Sequence, residues 1–366
     1  VLKKKINLGL KVEENKSIEE EYEMPAYKVE EEESKQMEDF FQTTLDDMDT
    51  FENRAWHKGD GYKSPGFPEL EEKLEGWEAG FYLFAAESNV GKSAAMLNIV
   101  HDMSMCESNK LFGLYYSLDD NKFEIIPRII AMDQLIPISV ASKPQRYQNR
   151  IDSGEEGSSI YEDMLKKRTL GIEKIRNNTN RFKVEDGTRI TSVEELYAHM
   201  KQVQVYIKAM DPEANIMVAI DSINDLKFSS QSFPTTRDKH DAVARIVKEW
   251  TVELDIIIMG ASHLKKINQN RRPVLDDLKE SGEYVYEASA VWLLFNDVSK
   301  NKEGAKVYYN QESQEGKGAV IEFDWAKNKK SSFKGRTFNY FSPEYSRMSE
   351  CDTDVMKRFN ALVYEG

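Results

Sequence analysis

The segment Ala86-Glu87-Ser88-Asn89-Val90-Gly91-Lys92-Ser93 constrains this chain more than any other. It follows an apolar run at 81–86 and opens a helical stretch from Lys92 to about Met105. A Gly-Lys-Ser ending between strand and helix turns backbone amides toward phosphate oxygens at the positive end of the helix. There Ser88, Asn89, Val90, Gly91 and Ala94 line the phosphates, and Lys92 reaches the β and γ oxygens. The Ser93 hydroxyl then ligates magnesium. Ala86 stands where a glycine is usual, which slightly constrains the turn.

From Gly66 onward, strand-like apolar runs at 81–86, 111–117, 216–221, 256–261 and 291–296 alternate with helical stretches. This alternation predicts an α/β domain with a mostly parallel sheet flanked by helices. Two further runs, 320–325 and 336–341, lie close enough to extend one edge antiparallel. Polar breaks at 142–159, 227–236, 265–272 and 299–317 read as loops, some of them functional. No internal repeat is visible.

Charge is unevenly distributed. The formal net charge is -14, yet residues 13 to 52 alone hold sixteen Asp or Glu against three Lys. The remainder is nearly neutral and can carry local basic surfaces. Residues 13 to 35 read as a solvated flexible arm. Residues 36 to 53 differ, because Met37, Phe40, Phe41, Leu45, Met48 and Phe51 recur near the helical period. They predict an amphipathic helix that docks on its own core or on a neighbouring subunit. No apolar run of about eighteen residues exists, and the first residues turn charged too soon for a signal peptide. Cys106 and Cys351 cannot build a four-thiolate zinc site. A cytoplasmic protein without a membrane partner is expected. The chain begins at Val1 rather than Met, as a fragment or a processed product does.

Four further segments carry chemistry. The run 216–221 ends in Asp221, and a carboxylate at the carboxyl edge of such a sheet can hold magnesium together with Ser93. The run 111–117 leads into Leu118-Asp119-Asp120. A carboxylate there orients the attacking water, or else simply caps the helix through Met132. The run 256–261 delivers Ser262-His263 to the same edge, where His263 is placed to hydrogen-bond a γ-phosphate or serves structure alone. Behind it, Lys265, Lys266, Arg271 and Arg272 form a basic loop suited to phosphate contacts. A solvated charge run would have the same composition.

The order of these motifs resembles the motor domain of DnaB-like replicative helicases and phage primase-helicases, over about Ser64 to Met348. The lead-in is Ser64-Pro65-Gly66-Phe67-Pro68-Glu69-Leu70, followed by Leu74-Glu75-Gly76-Trp77. Tyr116-Ser117-Leu118-Asp119 resembles the water-activating motif, with Asp119 where the family usually has Glu. Ser262-His263-Leu264-Lys265 resembles the primase-helicase sensor. The segment from Arg272 to Gly282 resembles the one that touches single-stranded DNA in the ring's pore, adding Lys279, Glu280, Ser281 and Gly282. Ala326-Lys327-Asn328-Lys329 aligns with the stretch that reaches a neighbour's γ-phosphate. Pro343-Glu344-Tyr345-Ser346-Arg347 resembles the closing strand motif, with Tyr345 as a nucleotide contact.

The resemblance implies a RecA-like domain over 61–350, preceded by an acidic arm (1–35) and a linker helix with its connection (36–60), and followed by a tail (351–366). It implies a homo-oligomeric, usually hexameric ring that hydrolyses ATP with magnesium at subunit interfaces. Such a ring moves on single-stranded DNA and unwinds duplex, with a primase or loader as a further partner, in a bacterial or phage-infected cell. Lys329 stands where the family places an arginine finger, with Arg336 nearby as a substitute; lysine carries the charge but lacks the planar fork. Two other readings stay open: a RecA-like recombination or regulatory ATPase that does not unwind, and an assembly protein that binds nucleotide with little hydrolysis.

Overall fold

The computed structural model describes residues 37, 42–52, 56, 61–188, 190, 192–267, 271–278, 282–310 and 316–364. The chain divides into two units, 1–59 and 60–366. In the first, a helix runs over 42–52, with Leu45, Met48 and Phe51 exposed. The acidic arm 1–35 lies outside the described residues, as do Phe40 and Phe41.

The second unit is organised by strands that are apolar on both faces. β1 (Gly80–Ala86) and β2 (Leu111–Ser117) are buried at every position, β3 (Phe182–Asp186) only in part. β4 (Asn215–Asp221) is buried throughout, β5 (Ile257–His263) except at His263, and β6 (Ala290–Asn296) throughout. Such strands need cover on both sides, which helical crossovers of a parallel sheet supply. β7 (Tyr308–Asn310), β8 (Lys317–Asn328), β9 (Arg336–Ser342) and β10 (Arg347–Glu350) follow. The spatial order is β10-β9-β8-β6-β1-β5-β4-β2-β3, with β7 on β8. Pairing is parallel from β6 through β1, β5, β4 and β2 to β3. It is antiparallel among β6 to β10, which is the predicted edge extension.

One face is covered by the helices Lys92–Met105 and Lys122–Gln134, which place Ala95, Ile99, Ile125 and Ile129 in one apolar cluster. The other is covered by Val193–Met210 and Thr236–Glu253, through Leu196, Met200, Val243 and Val247. Both of these helices start with a capping box, on Ser192 and Thr235, which satisfies their first free amides. Among the described residues no helix is long and apolar enough to cross a membrane.

Three stretches differ from expectation. The break predicted at 142–159 holds the helix Pro144–Asp152, buries none of its residues, and runs into the helix Ser158–Asn177. The break at 299–317 contains β7. The predicted tail 351–366 holds the helix Thr353–Tyr364, which seats Met356 and Phe359 in a satellite core with Val307, Val320 and Phe338.

Candidate nucleotide and nucleic-acid site

Register brings the predicted residues to one edge. Ala86 at the end of β1 is level with His263 at the end of β5. Ser117 at the end of β2 is level with Asp221 at the end of β4. The carboxyl ends of parallel strands form the crevice where such sheets receive ligands.

The loop leaving β1 turns through positive φ at Asn89 (62°) and Gly91 (119°). At Gly91 any side chain would be strained. Gly91 is also the N-cap of Lys92–Met105 and supplies no side-chain hydrogen bond, so the first amides of that helix are presented to the loop. Lys92 is buried, and its Nζ touches the carbonyls of Ala86 (3.3 Å) and Glu87 (3.4 Å) and His263 Nδ1 (3.5 Å). Burial lowers the Lys92 pKa, while Asp221 and Asp119 oppose that shift.

Asp221 is 7% exposed, and its Oδ2 accepts from the Tyr115 hydroxyl at 2.7 Å. The same hydroxyl lies 3.4 Å from the Ser93 carbonyl, so one tyrosine ties the β4 carboxylate to the loop helix. Ser93 and Asp221 offer a hydroxyl and a carboxylate, the hard oxygen donors that magnesium takes when phosphates and water complete the shell. Among the described residues no group of three His, Cys, Asp or Glu side chains could hold a metal ion. The donor set of Ser93 and Asp221 fits a magnesium shared with phosphate.

Asp119 is exposed just beyond β2, within electrostatic reach of Lys92 and His263. The alternative that Asp119 or Asp120 caps the following helix does not hold. Asn121 is the N-cap, accepting from the Phe123 amide at 2.8 Å, while Asp120 pairs with Arg128 at 2.8 Å. His263 donates its backbone amide to Asn224 Oδ1 at 3.1 Å. Burial and then Lys92 push its pKa down, which keeps the ring neutral near pH 7.

The basic loop is pinched at its base by the Leu264–Leu278 bridge and the Lys265 amide bonded to the Asp277 carbonyl at 2.8 Å. Lys265 and Lys266 are exposed. Arg271 forms a two-pronged pair with Asp277 (2.6 and 2.7 Å). Arg272 turns inward instead, gripping buried Glu322 of β8 at 2.6 and 2.7 Å and lying over the Phe295 ring. Gly282 is the N-cap of the short helix Glu283–Glu287, and Lys279, Glu280 and Ser281 lie outside the described residues.

Lys329 sits at the opposite edge of the sheet. Its neighbour Asn328 is level with Ala290 of β6, itself level with Tyr82 of β1, four residues before Ala86. That separation is about 13 Å along the strands. Lys329 Nζ meets the Tyr286 carbonyl at 3.0 Å. Arg336 is committed to Asp324 (2.9 Å) and lies 3.9 Å from Glu322. Tyr345 closes a turn beside the helix Lys122–Gln134 and is half-buried.

Two residues of the site escaped the sequence reading: Tyr115 and Asn224. Tyr115 lies inside the apolar run 111–117, and its position two residues before Ser117 puts it on the same strand face. Nothing local marks Asn224, whose partner lies 39 residues away.

Fold and site together define a RecA-like P-loop domain. Residues 63–350 match the family described as DnaB-like helicase C terminal domain, and the chain belongs to that family. The chain is similar to the replicative DNA helicase DnaB of Mycoplasma pneumoniae, 24% identical over 76% of this chain and 58% of that protein. It is also similar to the replicative DNA helicase DnaC of Bacillus subtilis, 22% identical over 73% of this chain and 54% of that protein. It thus spans little more than half the length of these relatives. A solved ATPase domain superposes with a TM-score of 0.66 at 24% identity, covering 83% of this chain and 97% of the other. A DnaB-like replicative helicase solved for its interactions with primase gives 0.64 at 23% identity, covering 83% and 66%.

Proposed function

We propose that this chain is the motor of an ATP-dependent replicative DNA helicase, working as a homo-oligomeric ring on single-stranded DNA. The observation that carries the reading is the continuity of one edge. Lys92, Asp221 and His263 converge there, and the basic loop begins at the residue after His263. Lys92 neutralises the β and γ oxygens, and loop amides hold the phosphates in line for attack. Asp119 orients the water. Ser93 and Asp221 hold magnesium, which supplies further neutralisation of the phosphate charge. His263, neutral and touching Lys92, senses the γ-phosphate and passes its state into Lys265 and Lys266.

Lys329 lies about 13 Å along the strands from its own phosphate loop, which favours action on the neighbouring subunit's nucleotide and hence a ring; the family resemblance favours a hexamer. DNA contact is backbone-directed, salt-sensitive and weakly sequence-selective. Primase or a loader is a further partner, and the setting is the cytoplasm of a bacterial or phage-infected cell. Strand displacement on a forked duplex tests the proposal: ATP-dependent release of the labelled strand supports it. Hydrolysis without release would move the reading to a RecA-like ATPase that does not unwind.

A further inference from the structure

Glu87 faces two ways. Its backbone carbonyl lies 3.4 Å from Lys92 Nζ, inside the phosphate loop. Its carboxylate reaches out of that loop, where Oε1 accepts from the Ile267 amide at 2.8 Å and Oε2 from Lys300 Nζ at 2.7 Å. Lys300 closes the circuit by donating to the Ile267 carbonyl, also at 2.7 Å. Both backbone groups of Ile267 are thus held by two side chains of opposite charge, and Ile267 itself is buried. Ile267 follows Lys265 and Lys266 directly. Lys300 sits on the short helix Asp297–Asn301, which β6 delivers to the same edge.

We propose that Glu87 and Lys300 are positioning residues forming a latch that transmits the state of the phosphate loop to the basic loop, a proposal that rests on the motor reading above. The physical argument is competition. Lys92 holds the Glu87 carbonyl at the long end of hydrogen-bond distance, so a phosphate oxygen displaces it readily. Any shift of Glu87 moves the Ile267 backbone, because charge-assisted bonds fix the carboxylate and buried backbone groups cannot go unpaired. A route through His263 alone runs along the chain, whereas the latch grips the loop beyond both lysines. Burial alone would raise the Glu87 pKa, but Lys300 and the Ile267 amide outweigh it and hold the carboxylate ionised.

The test is hydrogen–deuterium exchange of the full chain over 264–267, with and without a non-hydrolysable ATP analogue and magnesium. Nucleotide affinity is followed in parallel by a fluorescent analogue. In the wild type, nucleotide changes exchange at Ile267. Lys300→Met reduces that response about fivefold or more, the effect of losing a charge-assisted bond, while affinity stays within about twofold. Lys300→Arg, which keeps a donor, retains it. Glu87→Ala combined with Lys300→Met does no more than either alone, as expected of one clamp. An intact response in Lys300→Met, or none in a wild type that binds nucleotide, would overturn the latch alone. Failure of the wild type to bind nucleotide would strike the motor reading itself.

Discussion

The Tyr115 hydroxyl donates to Asp221 Oδ2 at 2.7 Å, one strand across within the sheet. Tyr115 is level with Ala219, so its ring spans the two residues that separate it from the carboxyl edge. Burial, then the Asp221 charge, raises the Tyr115 pKa well above the usual phenol range, so the hydroxyl stays a donor. Asp221 therefore keeps one oxygen fixed.

Tyr115→Phe removes this donor without changing the ring. A hydrogen bond to a charged group is worth about 1.5–3 kcal/mol, part of which water returns. The magnesium concentration for half-maximal phosphate release should rise by about fivefold or more. A magnesium titration of both proteins checks it, and coincident curves would remove Tyr115 from the site.

Arg272 and the exposed lysines should separate by experiment. Arg272→Ala takes the two-pronged partner from buried Glu322, leaving Arg336 at 3.9 Å, and should cost about 3 kcal/mol of stability, the lower end for breaking a buried pair. Lys265→Ala and Lys266→Ala should leave the melting temperature unchanged. Each should lower DNA affinity and reduce the salt slope by about 1. Melting curves and salt-dependent binding isotherms settle both. A stable Arg272→Ala that has lost only DNA affinity would return Arg272 to the DNA-contact set.

This contrast shows where the sequence was legible. Composition reveals that Arg272 is basic, but its commitment to Glu322, 50 residues away, is a tertiary fact. The central strands were readable because burial on both faces forces continuous apolar runs, and the phosphate loop because its chemistry is local. β3 was not, since Phe-Lys-Val-Glu-Asp at a sheet edge carries too many charges to look like a buried strand. The helix Thr353–Tyr364 was missed because its buried anchors, Met356 and Phe359, are few and its partners come from β8 and β9. Arg336 read as a substitute finger because its carboxylate partners on β8 are invisible from spacing.

Lys329 should act in trans. Lys329→Ala should lower phosphate release by a factor on the order of 10³, and Lys329→Arg should raise it by restoring the fork. Titrating Lys329→Ala into wild type should depress turnover more than in proportion. Strict proportionality in such mixtures would mean that the lysine serves no neighbour.

His101, on the phosphate-loop helix, borders a cavity of about 420 Å³ and meets the Phe182 ring edge-on at 5.5 Å. Burial brings its pKa down to about 4, with Asp133 opposing and Lys174 and Arg347 adding to the shift. The folded pKa lies below the unfolded value, so the unfolded chain binds the proton first. This contribution is intact above about pH 6.5 and is lost as pH falls toward 4. Between pH 7 and 5 the wild type should lose about 2 kcal/mol that His101→Gln does not. Urea melts at both values check it; parallel pH dependence in the two proteins would contradict it.

Phosphate release with and without single-stranded DNA, with Lys92→Ala as control, separates a DNA-coupled motor from a static nucleotide binder. Hydrolysis should be strongly stimulated by DNA and abolished in the variant. Nucleotide binding without phosphate release, on DNA or off it, would rule out a motor and leave a nucleotide-dependent assembly protein in its place.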